Sequence, residues 1–133
     1  MCVSLIIFYA YLLEMIDLIK YTTTAALIAV LDLPWLLLSN TFASGMIRKI
    51  QGSEMELRAF PAIIVYFALA YLAQIPKTAM DAFLLGLCVY AVYDFTNLAT
   101  LAKYDWRFAI ADSLWGGILF TIVHYALTYI KGL

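Results

Sequence analysis

Apolar residues fall in long blocks along this chain, broken at a few points by charge, glycine and proline. The first block, residues 3–13, runs for about eleven positions before Glu14 and Asp17 intervene, where roughly twenty are needed to cross a hydrocarbon core. It predicts an interfacial helix, with Tyr9 and Tyr11 at headgroup level, or the start of an unusually long first helix. A third reading takes Met15 as the start of the protein. The second block, about 18–40, predicts a first membrane helix with Lys20 and Tyr21 at one edge and Ser39 and Asn40 at the other. Within it Pro34 removes the amide that would bond the Val30 carbonyl, so a kink and a polar notch beside Asp32 are expected. Thr24, Ile28, Asp32, Trp35 and Ser39 share one helical face, which should point into a bundle.

A polar connection is expected over about 41–58, carrying Arg48, Lys49, Glu54, Glu56 and Arg58, with Gly45, Gly52 and Ser53 as turn residues. The next block predicts a helix over about 59–75, Pro61 being tolerated in its first turn and Pro76 ending it. At about seventeen residues it is barely long enough to span. A third helix follows over about 81–102, with Asp81 near its positive end, and a tight turn at 103–107 leads into a fourth over about 108–130. These last two form an antiparallel hairpin, and Lys131 supplies a snorkelling cation after it. The pattern therefore predicts an all-α integral membrane protein: a compact bundle of four transmembrane helices in a single membrane domain over residues 1–133, with a short extra apolar or interfacial segment over 1–17.

Composition sharpens the class. Of 133 residues, 66% are hydrophobic and only 13% charged, and the mean hydropathy is +0.95, well outside soluble globular usage. A net charge of -1 with no basic stripe or tail argues against nucleic acid, leaving the lipid bilayer as the partner. Cys2 is terminal and Cys88 lies inside an apolar block, so both are expected as free thiols. The N-terminus lacks a basic n-region and a small-residue cleavage site, which argues against a cleaved signal and for a multipass chain retained whole.

With four spans, the 41–58 connection and the 103–107 turn share one side of the membrane. Arg48, Lys49, Arg58, Lys103 and Arg107 lie there, against Lys20, Lys77 and Lys131 on the other, a bias that places the two loops in the cytoplasm. Counting roughly 1.5 Å per residue from the loop-side ends puts Asp32, Asp94 and Asp112 at depths of about 13, 12 and 7 Å. All three acids thus fall in one half of the membrane, together with Asn97, Trp35 and Trp115, whereas His124 lies toward the opposite face.

An acid near the centre of a membrane helix costs about 2.5 to 3.5 kcal/mol on insertion scales, so three at matching depth ask for a shared explanation. One is a polar pocket or half-channel between the first, third and fourth helices. The other is interhelical glue, the acids bonding the Pro34 notch, the hydroxyls of Thr96 and Thr100, and tyrosines such as Tyr66. Carboxylates at close range cannot all ionise in a low dielectric unless a cation bridges them, which suits proton relay, cation binding or general acid/base work. Three acids with one distant histidine make a poor transition-metal site, and no cofactor is named by the sequence. Asp32-x-x-Trp35 and Asp112-x-x-Trp115 repeat one spacing that puts acid and indole on adjoining surfaces, as an aromatic wall or as packing. Gly116 and Gly117 would let another helix approach closely, and His124 reads as a bundle residue. No Gly-rich phosphate loop, nucleophile elbow or two-histidine metal motif is present.

The run Val92-Tyr93-Asp94-Phe95-Thr96-Asn97-Leu98-Ala99-Thr100-Leu101, then a short aromatic turn, then Asp112-Ser113-Leu114-Trp115-Gly116, resembles the predicted membrane proteins grouped as domain of unknown function 2177. Leu31-Asp32-Leu33-Pro34-Trp35 resembles that family's first-helix motif, and the likeness covers about 18–130. The resemblance implies a compact four-helix membrane protein and no particular reaction; its motif falls on Asp32, Trp35, Tyr93, Asp94, Thr96, Asn97, Asp112, Trp115 and Gly116. The stretch before Met15 and the proline before Trp35 depart from the family pattern. Three functions compete: transport or binding of a proton, cation or small solute, which with so few helices calls for a homo-oligomer; a membrane-embedded enzyme on a lipid or other apolar substrate; and a structural or assembly protein.

Overall fold

The first helix runs through both Pro34 and Gly45 and stops only before Gly52. The computed structural model describes the backbone of residues 2–132 and the side chains of residues 6–130. Helix α1 is Cys2–Gln51, 50 residues, with Pro34 inside it. Gly52 ends it with φ +78, its amide reaching back to the Arg48 carbonyl at 2.9 Å. This is a left-handed glycine cap, and Arg48 and Lys49 in the last turn suit the negative end of the helix.

One expectation changes here: the polar connection shrinks from about 41–58 to residues 52–58. Of the readings open for the N-terminal block, the structure has the unusually long first helix. The reason for the shorter connection is non-local. Met46 is buried against Tyr104 and Ala109, with Ile50, Leu98, Leu101 and Phe108 around them, so the stretch past Asn40 is held against the α3–α4 turn. The expectations for Cys2 and Lys131 fall outside the described side chains.

Helix α2, Ala59–Leu72, is 14 residues, about 21 Å long against a hydrocarbon core of about 30 Å. It closes earlier than the sequence suggests, with Ala73 as its C-cap. The last turn tightens instead, with Gln74 and Ile75 amides on the Tyr71 and Leu72 carbonyls at 3.1 Å each. Helix α3, Ala79–Thr100, opens on a capping box in which Thr78 and Asp81 satisfy each other's backbone amides. Helix α4 is Trp106–Gly132. Among the described residues three helices are long and apolar enough to cross a membrane: Ile6–Gln51, Ala79–Thr100 and Trp106–Ile130.

The α3–α4 hairpin is the tightest pairing, and α1 lies against both α2 and α4. Gly86 and Gly116 set that closeness: a Cβ on Gly86 would fall on the Gly116 carbonyl, and one on Gly116 on the Tyr90 ring. Ala25, Ile28, Ala70, Leu119, Phe120 and Val123 form the main core. The outward faces are apolar, Leu38 being 79% and Val92 70% exposed, while Asp94 is 0% exposed. Apolar outside with charge inside is the arrangement that lipid, not water, favours.

Asp105 begins α4. Its Oδ1 accepts from the Arg107 amide at 2.8 Å, and its carbonyl takes the first helical bond, from Ala109. The Arg107 side chain, hydrogen-bonded to it, holds the Asp105 carboxyl below the usual carboxylate range. A depressed folded value means the cap's contribution is complete at neutral pH and is lost only as pH falls below the ordinary carboxylate range. Asp105→Ala is expected to lower the thermal midpoint in detergent by about 2–5 °C, read by circular dichroism.

Candidate functional site

The face of α1 carrying Thr24, Ile28 and Asp32 is buried, with Trp35 and Ser39 half-buried on the same side. Each acid lies one turn from the indole of its own helix, on an adjoining surface, yet neither bonds that indole. They exchange partners instead. Trp115 Nε1 donates to Asp32 Oδ1 at 2.7 Å, and Trp35 Nε1 donates to Asp112 Oδ1 at 2.5 Å. The two indoles stack, with centroids 5.6 Å apart and planes 14° from parallel. The repeated Asp-x-x-Trp spacing thus forms a reciprocal clasp between α1 and α4.

Asp32 is also held from α2, where the Tyr66 hydroxyl donates to its Oδ2 at 3.0 Å. Asp94, from α3, accepts from the Tyr104 hydroxyl through Oδ1 at 2.5 Å. Its Oδ2 is buried and accepts from no donor. The neighbouring acid is Asp112. Two carboxyls so placed are joined only through a shared proton or a cation. Tyr90, half-buried one turn before Asp94, lays its ring on Gly116.

Among the described residues no basic side chain pairs with these carboxyls. Among the described residues the ion pairs are Lys20–Asp17, Arg48–Glu54 and Arg107–Asp105, all away from the cluster. His124 packs its ring on Tyr125. Among the described residues no three His, Cys, Asp or Glu side chains gather as metal ligands.

Of the residues singled out from sequence, the structure brings Asp32, Trp35, Asp94, Asp112 and Trp115 together. Asn97 is half-buried and within reach of the Tyr104 hydroxyl, at the cluster's edge. Tyr93 and Thr96 stand apart. Tyr93 is 63% exposed and Thr96 is exposed, because positions one before and two after Asp94 turn about 100° and 200° away from it on a helix. The Thr100 hydroxyl goes to the Thr96 carbonyl at 2.8 Å and reaches no acid. Tyr90 and Tyr104 were missed. Tyr90 lies four residues before Asp94, a spacing that places both on one face; Tyr104 carries no such local signal.

Fold and site together define a small all-α, multipass membrane protein with three carboxyls gathered between its helices. The chain belongs to the family of predicted membrane proteins called DUF2177, whose profile matches residues 17–129. No curated protein and no solved structure matches it.

Proposed function

We propose that the protein binds and transports protons through Asp32, Asp94 and Asp112, acting as carboxyls inside the membrane. The observation that carries this reading is the buried Oδ2 of Asp94, which accepts from no donor, in a carboxyl whose neighbouring acid is Asp112. Such a pair, with no lysine or arginine opposite, is stable in a low dielectric when a proton lies between its oxygens. A hard cation suits the site less well, since it takes six or more oxygens and here Trp35, Trp115, Tyr66 and Tyr104 already occupy carboxylate oxygens. A flat solute finds no slot between the indoles, which stack on each other.

Purified protein in liposomes under an imposed potential, with an internal pH dye, tests the reading. Wild type is expected to acidify or alkalinise the lumen in the direction of the potential, and Asp94→Asn to abolish this. Equal flux from both would remove the reading.

The clasp supports a second reading, in which the acids join helices and do nothing else. Reciprocal Trp–Asp bonds are worth about 0.6–2 kcal/mol each inside a membrane, enough to select one packing of α1 on α4. Replacing all three acids by Asn without loss of folding or phenotype would favour it.

A further inference from the structure

The two ends of the acid cluster differ in what closes them. Toward the termini Ile28, Leu119, Phe120 and Val123, each no more than 1% exposed, close most of the next layer; its polar groups are the Tyr90 hydroxyl, one turn before Asp94, and, a turn beyond Ile28, Thr24, which accepts from Gln74 at 3.0 Å. Toward the loops the next groups are polar. The Tyr104 hydroxyl lies on Asp94 Oδ1, and the Asn97 side chain lies within reach of that hydroxyl. Beyond them come Lys103 and Asp105, which flank Tyr104 in the turn.

Tyr104 does not belong to either helix. It sits between α3 and α4, 8% exposed, and its position is fixed from outside the hairpin. On one side Lys103 Nζ donates to the Lys49 carbonyl at 3.0 Å; on the other the Asp105 amide lies on Met46 Sδ at 3.2 Å. The ring packs edge-on to Phe108, with centroids 6.2 Å apart. The C-terminal stretch of α1 therefore holds this turn down over the acids, which gives a use to the helix beyond Asn40.

The geometry points to Tyr104 as a gate residue through which protons reach Asp94 from the loop side of the membrane, an inference that rests on the carboxyl cluster being a proton site. The step is a hop. The Tyr104 O–H bond breaks as its proton passes to Asp94 Oδ1, and the phenolic oxygen takes a proton from hydronium on the loop side, so one proton enters and the tyrosine is restored. Lys103, Lys49 and Met46 keep the hydroxyl aligned.

Hydrogen–deuterium exchange of the cluster's carboxyl protons, followed by infrared spectroscopy of the C=O band in reconstituted protein, tests the gate without needing transport. Asp94→Asn identifies the band. Tyr104→Phe keeps the ring and removes the hop, and is expected to slow exchange about tenfold or more. Tyr104→Ala removes the plug, and is expected to speed exchange by admitting water. Exchange at the wild-type rate in both variants would overturn the gate. Should the band be absent at neutral pH, the shared proton fails; the same comparison made at a pH low enough to protonate the acids still decides whether Tyr104 controls access.

Discussion

Gly86→Ala is expected to destabilise the protein by about 1–3 kcal/mol, and Gly86→Leu to prevent the α3–α4 hairpin from closing. Alanine is normally the better helix former by about 1 kcal/mol, so the sign of the first result is itself informative. The added Cβ would meet the carbonyl oxygen of Gly116 and the Cβ of Phe120. Neither is the free end of a flexible side chain, so two helix backbones must move apart. Gly45 is the control: a Cβ there meets nothing within 4 Å, and Gly45→Ala should be neutral or stabilising. Gly117 is intermediate, because the Phe83 ring it faces can turn aside. Unfolding in detergent, followed by circular dichroism, ranks the three. A Gly86→Ala midpoint equal to or above that of wild type would show that the helices are not held at backbone contact. The consequence reaches the acids, since the Tyr90 ring rests on Gly116; spreading α3 from α4 would also separate Asp94 from Asp112.

What could be read from the sequence was whatever depends on neighbours along the chain. The apolar blocks gave the helices because an unbroken hydrophobic run has few other options in lipid. Depth counted from rise per residue puts Asp32, Asp94 and Asp112 level only with a first helix ending near Asn40; with that end at Gln51 the count no longer holds for Asp32, which is tied to α4 and α2 by its bonds to Trp115 and Tyr66 instead. Rotation was less well read. Tyr93 and Thr96 share a motif with Asp94, yet adjacency in a motif says nothing about which way a side chain turns, and the helical angle alone separates them from the cluster. The end of α1 was misplaced for a different reason. Arg48, Lys49 and Gly45 look like a loop locally, while Met46 is held by Tyr104 and Ala109, nearly sixty residues or more away in the chain. Tyr104 was hidden likewise, because its role arises from a turn folding back on Asp94.

Asp32 offers the sharpest separation of proton site from glue, because two replacements divide its chemistry. Asp32→Leu removes both acceptors, stranding the Trp115 N–H and the Tyr66 hydroxyl between helices. At about 0.6–2 kcal/mol for each lost bond inside a membrane, the expected loss is about 1–4 kcal/mol. Asp32→Asn behaves otherwise. Its carbonyl can still accept from Trp115, and its amide can donate to the Tyr66 oxygen, since a phenol both gives and takes hydrogen bonds. Stability should therefore stay within about 1 kcal/mol of wild type, while the ionisable group is gone. If the acids serve only as glue, proton flux in liposomes is the same in wild type and Asp32→Asn, and falls only in variants that unfold. If they bind protons, flux falls in Asp32→Asn while its unfolding midpoint and the tryptophan emission of the stacked Trp35–Trp115 pair stay near wild type. A midpoint for Asp32→Asn as low as that of Asp32→Leu would mean that the carboxylate's charge itself holds α1, α2 and α4 together, and would count against exchangeable protonation at this position.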